Sequence, residues 1–144
     1  MTSSNGWLYW ALGSAVFAAL TAVFAKIGIQ GVDSDLATLI RTLVIVIVLA
    51  VFVAYTGKWV NPATLSTKTW AFLILSALAT GASWVCYFRA LKLGAASQVA
   101  PVDKLSLVLV AVFAYWLLGE RPSLSEWSGL AMVATGVIVI ALSH

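Results

Sequence analysis

Residues 36–56 read LATLIRTLVIVIVLAVFVAYT, an apolar run that carries one charged side chain, Arg41. A helix needs about 20 predominantly apolar residues to cross the hydrocarbon core of a lipid bilayer. This run therefore has the length and the composition of one membrane-spanning helix. The runs on either side of it decide whether the whole chain is a membrane protein.

Four further apolar runs complete the chain, and they cover residues 7–30, 69–93, 96–119 and 124–142. The connections between runs are short and carry capping and turn residues. Ser34 or Asp35 is the expected N-cap of the second helix, and Pro122 stops the fourth. No connection is long enough for a soluble domain. The sequence therefore predicts an all-α integral membrane protein, a single domain of five transmembrane helices over residues 1–144.

The overall composition of the chain supports the same class. Of its 144 residues, 62% are hydrophobic and 9% are charged, whereas average soluble proteins are roughly 45–50% apolar and about 25% charged. This balance excludes an ordinary soluble enzyme, a disordered chain and a nucleic-acid-binding module. The chain also lacks metal-ligand spacings and nucleophile–base pairs. We therefore predict neither an enzyme nor a cofactor or metal site.

Aromatic and basic residues report on the two membrane faces. Side A is the face of the N-terminus and of the loops after the second and fourth helices. It holds six of the seven tryptophans, Trp7, Trp10, Trp59, Trp70, Trp116 and Trp127, whose rings favour the headgroup region. The Lys and Arg residues of loops and helix ends divide three against three between the faces, so the positive-inside rule sets no orientation. A single orientation and dual topology, with copies inserted both ways, both stay open.

Four charged residues are predicted inside the membrane near the opposite face, side B. Asp103 and Lys104 follow Pro101, which removes a backbone hydrogen bond and can kink the fourth helix. Arg41 lies at a similar depth in the second helix, and Lys26 follows a stripe of small residues in the first. Because intramembrane charges are costly, they usually face the bundle interior or a wet cavity. We expect these residues to converge and to bind substrate or protons. The alternative is that the long cationic side chains reach the headgroups and Asp103 forms a structural ion pair.

Trp84 is the one tryptophan that lies far from the aromatic belt of side A. Tyr87, three residues later, falls on the same broad face of the third helix. Aromatic rings in such a position can stack on an organic substrate or on a cation. We therefore expect Trp84 and Tyr87 to form walls of a substrate cavity, with lipid-facing or space-filling rings as the alternative.

The fifth helix is nearly featureless apart from its small residues. Gly129 and Gly136 lie seven residues apart and share one face, and Ser125 lies four residues before Gly129 on that face. Small residues at this spacing let two helices approach each other closely. This face is therefore predicted to pack within the bundle or between two subunits.

The second half of the chain also resembles a known family. Residues 82–142 read ASWVCYFRALKLGAASQVAPVDKLSLVLVAVFAYWLLGERPSLSEWSGLAMVATGVIVIAL. The RALKLG junction, the AP pair that follows it and the LLGER turn resemble the EamA domain of the drug/metabolite transporter superfamily. The segments AKIGIQGVDSDLATLIRT, CYFRALKLG and PVDKLS resemble the short five-helix bacterial and archaeal members more narrowly.

The resemblance implies an assembly and a function. Most relatives carry two such repeats in inverted topology, so a single repeat implies a ten-helix homodimer, and the even Lys/Arg division suggests an antiparallel one. The related small multidrug resistance proteins use a membrane-embedded glutamate in their first helix. That helix has no acid here, so Asp103 would have to substitute.

The function implied is secondary transport by alternating access, with small organic metabolites or drugs exported across the inner (cytoplasmic) membrane. Its partners would be the small-molecule substrate and the lipid bilayer, without nucleic acid. A non-transporting accessory subunit, or half of a lipid-linked sugar flippase, is the alternative function.

Overall fold

The computed structural model describes residues 6–143, whose regular secondary structure is helical, without a β-strand. The helices are α1 (Gly6–Gly28), α2 (Ser34–Tyr55), α3 (Thr67–Leu93), α4 (Ala96–Asp103), α5 (Ser106–Phe113) and α6 (Leu124–Leu142). A 3₁₀ turn at Pro62–Thr64 precedes α3, and a π-helix at Ala114–Leu118 continues α5. Because Ala96–Leu118 forms one apolar span, residues 6–143 contain five helical segments that are long and apolar enough to cross a membrane. The predicted all-α fold with five spans is thereby confirmed.

The ends of the helices follow the capping residues of the sequence. The N-cap of α2 is Asp33, whose Oδ1 accepts hydrogen bonds from the backbone N–H groups of Asp35 and Leu36 at 2.9 and 3.2 Å. The expectation of Ser34 or Asp35 at this position was therefore wrong, because the helix already includes both residues. At α6, Ser123 and Glu126 form a reciprocal capping box.

The fourth span is discontinuous in its middle. Pro101 has no N–H group, so the regular i→i−4 ladder is interrupted there. Beyond Pro101 the backbone forms i→i−3 hydrogen bonds in place of i→i−4 ones. They run from Lys104 N–H to the Pro101 carbonyl at 2.9 Å and from Leu105 N–H to the Val102 carbonyl at 3.0 Å. Such bonds tighten a helix into a 3₁₀-like turn. The break separates α4 from α5 and places Asp103 and Lys104 at the junction.

The chain forms two compact units. In residues 24–93, α2 packs against α3, and Leu91 and Phe88 are 0% and 2% exposed. In the other unit, residues 6–23 and 94–143, α6 packs against α4 and α5, and Ala114 and Val137 are buried. Most other large apolar side chains are exposed. Exposure is the expected state of a membrane span, because lipid tails are as apolar as leucine side chains.

Candidate functional site

A cation held by two aromatic rings lies between α2 and α3. The Arg41 Cζ atom is 4.3 Å from the centroid of the Trp84 ring and 5.3 Å from that of Phe88. Trp84 and Phe88 are one helical turn apart on α3, so both rings face the same stretch of α2. A cation within about 6 Å of a ring centroid is attracted by the electron-rich face of the ring. We call Arg41, Trp84 and Phe88 the arginine clamp.

The clamp is well covered although it lies in a span. Phe88 is 2% exposed, and Arg41 and Trp84 are half-buried. Tyr87 is half-buried beside it, with its ring edge-on to that of Phe88 at a centroid distance of 6.4 Å. Two of the residues singled out in the sequence, Arg41 and Trp84, are thus brought together, and Tyr87 adjoins them through Phe88.

A groove of about 620 Å³ runs along the same two helices. Trp84 belongs to its wall, and so do Thr38 and Ile45, which lie on α2 one turn before and one turn after Arg41. Its other polar residues are Asp35, Thr42, Ser76 and Thr80. The hydroxyl groups of Thr38, Thr42 and Thr80 donate to backbone carbonyls four residues earlier. These hydroxyl protons are therefore already used within the helices, and the lining residues other than these polar ones are apolar.

Polar contacts tie the helices of residues 24–93 together near the ends where α2 begins and α3 finishes. Arg89 donates to both carboxylate oxygens of Asp35, from Nε at 2.9 Å and from Nη2 at 2.6 Å. Lys92 Nζ donates to the Val32 carbonyl at 2.7 Å, and Lys26 Nζ donates to the Leu91 carbonyl at 2.5 Å. These cations hold neighbouring segments together. A role for Lys26 in substrate binding stays a prediction.

The second charged cluster belongs to the other unit. Lys104 Nζ lies 3.5 Å from Asp103 Oδ2, and the two side chains are 51% and 37% exposed. The pair is local in sequence and lies at the break of the fourth span. Broken helices in transporters often form ion and substrate sites, because their backbone groups are freed there. The convergence of four charged residues stays a prediction. Lys26 and Arg41 belong to the compact unit 24–93, whereas Asp103 and Lys104 belong to the other unit.

The small-residue face of α6 is open within the described chain. A Cβ atom added at Gly129 or Gly136 would meet no atom within 4 Å. The Ser125 hydroxyl lies 2.9 Å from the Ser123 hydroxyl, next to the capping box. No helix of residues 6–143 uses either glycine for close approach, and a contact between subunits at this face stays a prediction.

Two features of the site were not anticipated from the sequence. Phe88 was not singled out as a binding residue, although it follows Trp84 by one helical turn and therefore shares its face. The Asp35–Arg89 ion pair was not foreseen, although the residues lie near the adjoining ends of α2 and α3. Among residues 6–143, no group of three or more His, Cys, Asp or Glu side chains could hold a metal ion.

Comparison with known proteins shows the family to which this sequence belongs. Residues 5–142 match the model of the EamA-like transporter family. The chain is 57% identical over 139 residues to a protein of Sinorhizobium sp. named "Uncharacterized transporter in cobO 3'region", and the match covers 96% of this chain and 99% of that one. No solved structure matches. Since the match spans all five apolar segments, the chain is a multi-pass membrane protein and belongs to the EamA-like transporter family.

Proposed function

We propose that the protein is a secondary transporter that exports small organic metabolites or drugs across the inner (cytoplasmic) membrane. The observation that carries this proposal is the arginine clamp. A charged side chain inside a span is costly, up to roughly 2.5–3.5 kcal/mol at the helix centre on insertion scales, and a purely structural protein has no use for that cost. In a transporter the charge has a use, because it gives a solute a specific contact within the bilayer.

The working unit that we propose is a dimer of ten helices. Family relatives with two repeats suggest that a single repeat needs a second copy to enclose a substrate. Two surfaces support this proposal, the groove between α2 and α3 and the glycine face of α6, both of which are open in one chain. Rocking of the two copies would expose the site to each side of the membrane in turn.

The broken fourth span supplies the remaining part of the proposal. Asp103 lies at a break within the span and can exchange a proton when its surroundings change during the transport cycle. Lys104 would then act as its counter-charge. The clamp would bind the solute, and the Asp103–Lys104 pair would couple its movement to protons.

Reconstitution tests the transport function. Purified protein in liposomes, loaded with a panel of labelled metabolites and drugs and given an outward or inward proton gradient, should move a subset of the solutes alone. Empty liposomes are the control for leakage. An accessory subunit, or half of a flippase that needs a second protein, would give no flux of any solute under either gradient.

Cysteine labelling tests the antiparallel arrangement. On a Cys86→Ala background, Thr64→Cys and Gln30→Cys each place one thiol in the loop at one end of α2. With dual topology, an impermeant reagent applied from outside should label a fraction of both variants. If only one of the two variants is labelled, the copies share one orientation, and the antiparallel dimer is abandoned while the fold is retained.

A further inference from the structure

We propose that the transported substrate carries an oxyanion group, a carboxylate or a phosphate, that binds the Arg41 guanidinium. Trp84 and Phe88 act as positioning residues that hold the guanidinium beside the groove between α2 and α3, whose wall includes Trp84 but neither Arg41 nor Phe88. This inference rests on the proposed transport function, whose substrate class it names.

The guanidinium of Arg41 has donors that the protein leaves available. Among residues 6–143, ion pairs form between Arg89 and Asp35 and between Lys104 and Asp103, and neither involves Arg41. No acceptor in this part of the chain forms a hydrogen bond with it. Its contacts are ring faces, which attract the charge but leave the five N–H donors without oxygen partners. A group with acceptor oxygens can therefore complete the site.

The charges around the clamp favour an anion over a cation. The two acidic residues of 24–93 already have partners, since Asp33 caps α2 and Asp35 is bound by Arg89. Neither is free to neutralise Arg41, and a charge–charge attraction is much stronger in a half-buried, low-dielectric setting than in water. The ring of Trp84 is already in contact with a protein cation. Arg41 would repel a substrate cation at that ring. Trp84 therefore acts on the substrate indirectly, by positioning the Arg41 guanidinium.

The groove provides room for the rest of an amphiphilic anion. Its volume of about 620 Å³ lies within the range of roughly 300–1,000 Å³ typical of sites for drug-sized ligands. Trp84 is the residue that the groove shares with the clamp, and the surface of the groove is mostly apolar. An apolar body can lie along the groove while its oxyanion pairs with the planar guanidinium fork, which matches carboxylate and phosphate in a bidentate manner.

Matched probes test the charge requirement. Benzoate, benzamide and benzylammonium share one ring and differ in charge, and phenyl phosphate adds the second oxyanion. Binding to the purified full chain is measured by thermal unfolding and by equilibrium dialysis at constant ionic strength. We expect benzoate and phenyl phosphate to bind and stabilise the protein, and the neutral and cationic probes to bind about tenfold more weakly or not at all.

Variants separate the clamp from general effects of charge. Arg41→Met should abolish the preference for anions, and Arg41→Lys, which keeps the charge but loses the fork, should weaken benzoate binding by about tenfold or less. Trp84→Phe should retain binding, whereas Trp84→Leu should weaken it without a matching fall in the unfolding temperature. Lys68→Gln is the control, since it removes one exposed cation at the other end of α3.

Several outcomes would overturn the proposal. They are an absence of anion-specific binding across the probes, equal binding of all four probes, and benzoate binding that is unchanged in Arg41→Met. A phospholipid headgroup offers the same oxyanion chemistry as a solute. Phospholipid that co-purifies only when Arg41 is present, with no benzoate binding in phosphatidylcholine nanodiscs, would therefore assign the site to lipid and overturn the substrate assignment.

The liposome assay keeps this inference distinct from the transport function. Flux of a neutral or cationic solute that Arg41→Met leaves unchanged would refute the anion site and uphold the transporter. An absence of all flux with intact, Arg41-dependent benzoate binding would refute the transporter and leave an anion-binding membrane protein.

Discussion

The two charged clusters of this chain differ in how the protein holds them. Arg41 lies within a continuous helix and is fixed by rings from a second helix that is distant in sequence. Asp103 and Lys104 contact each other as sequence neighbours at a helix break, and both remain substantially exposed. A charge clamped by long-range contacts keeps one position and suits recognition. A charge at a break can change its surroundings as the backbone moves, which suits coupling.

The largest effect that separates the clusters is expected from the pair at the break. Asp103→Asn keeps the shape of the side chain but removes its charge and its exchangeable proton, so proton-dependent transport should be lost. Because the pair is local and exposed, the variant should still fold and bind benzoate. Flux under a proton gradient and benzoate dialysis, measured on the same preparation, check both expectations.

The double variant Asp103→Asn/Lys104→Met shows whether the pair is merely structural. Both side chains are substantially exposed, and exposed ion pairs contribute little to stability, so their joint replacement should leave the fold intact. We expect a folded protein that fails to couple transport to protons. Full transport with an unchanged pH dependence in the double variant would remove the pair from the mechanism and leave the clamp as the functional cluster.

A smaller effect is expected on the open face of α6. Gly129→Ile and Gly136→Ile should weaken self-association, since a branched side chain prevents close helix approach. The protomer itself should be unaffected, because an added Cβ at either site meets no atom within 4 Å. Crosslinking yield in membranes measures the first effect and helical content the second. Ala131→Ile, on the opposite and exposed side of α6, is the matched control. An equal loss of crosslinking in this variant would show that the face of Gly129 and Gly136 does not form the interface.

The smallest effect is expected at the ion pair between α2 and α3. Asp35 and Arg89 are 48% and 61% exposed in their side chains, and exposed ion pairs contribute little to stability. Asp35→Asn should therefore lower the unfolding temperature only slightly, and benzoate affinity should not fall, because the change removes a negative charge from the wall of the groove. A large loss of affinity would mean that Asp35, which lines the groove, takes part in binding.

The spans could be predicted from the sequence because the signal for them is local. Residues 36–56 carry length and apolarity within one segment, and the helix observed is Ser34–Tyr55. The exact cap could not be predicted, because Asp33, Ser34 and Asp35 all have capping side chains and the choice depends on backbone conformation. Pro101 indicated a kink, but the π-helix at Ala114–Leu118 has no comparable residue to mark it.

The clamp itself could be predicted only in part. Arg41 lies seven residues into α2, and Trp84 lies nine residues before the end of α3, so the sequence places both at about 10–14 Å from one end of the hairpin. That depth match favours a contact between antiparallel neighbours. It does not determine how each helix is rotated about its axis, which depends on packing between α2 and α3. The contact of Arg41 with both rings is therefore visible only in three dimensions.

Comparing Arg41→Met with Asp103→Asn in the same two assays separates recognition by the clamp from coupling at the break. Benzoate binding reports on recognition, and proton-driven flux in liposomes reports on transport. We predict that Arg41→Met loses both, whereas Asp103→Asn keeps binding and loses proton-driven flux. If Asp103→Asn lost binding to the same extent as Arg41→Met, or if Arg41→Met retained wild-type binding, the assignment of recognition to the clamp and coupling to the break would be contradicted.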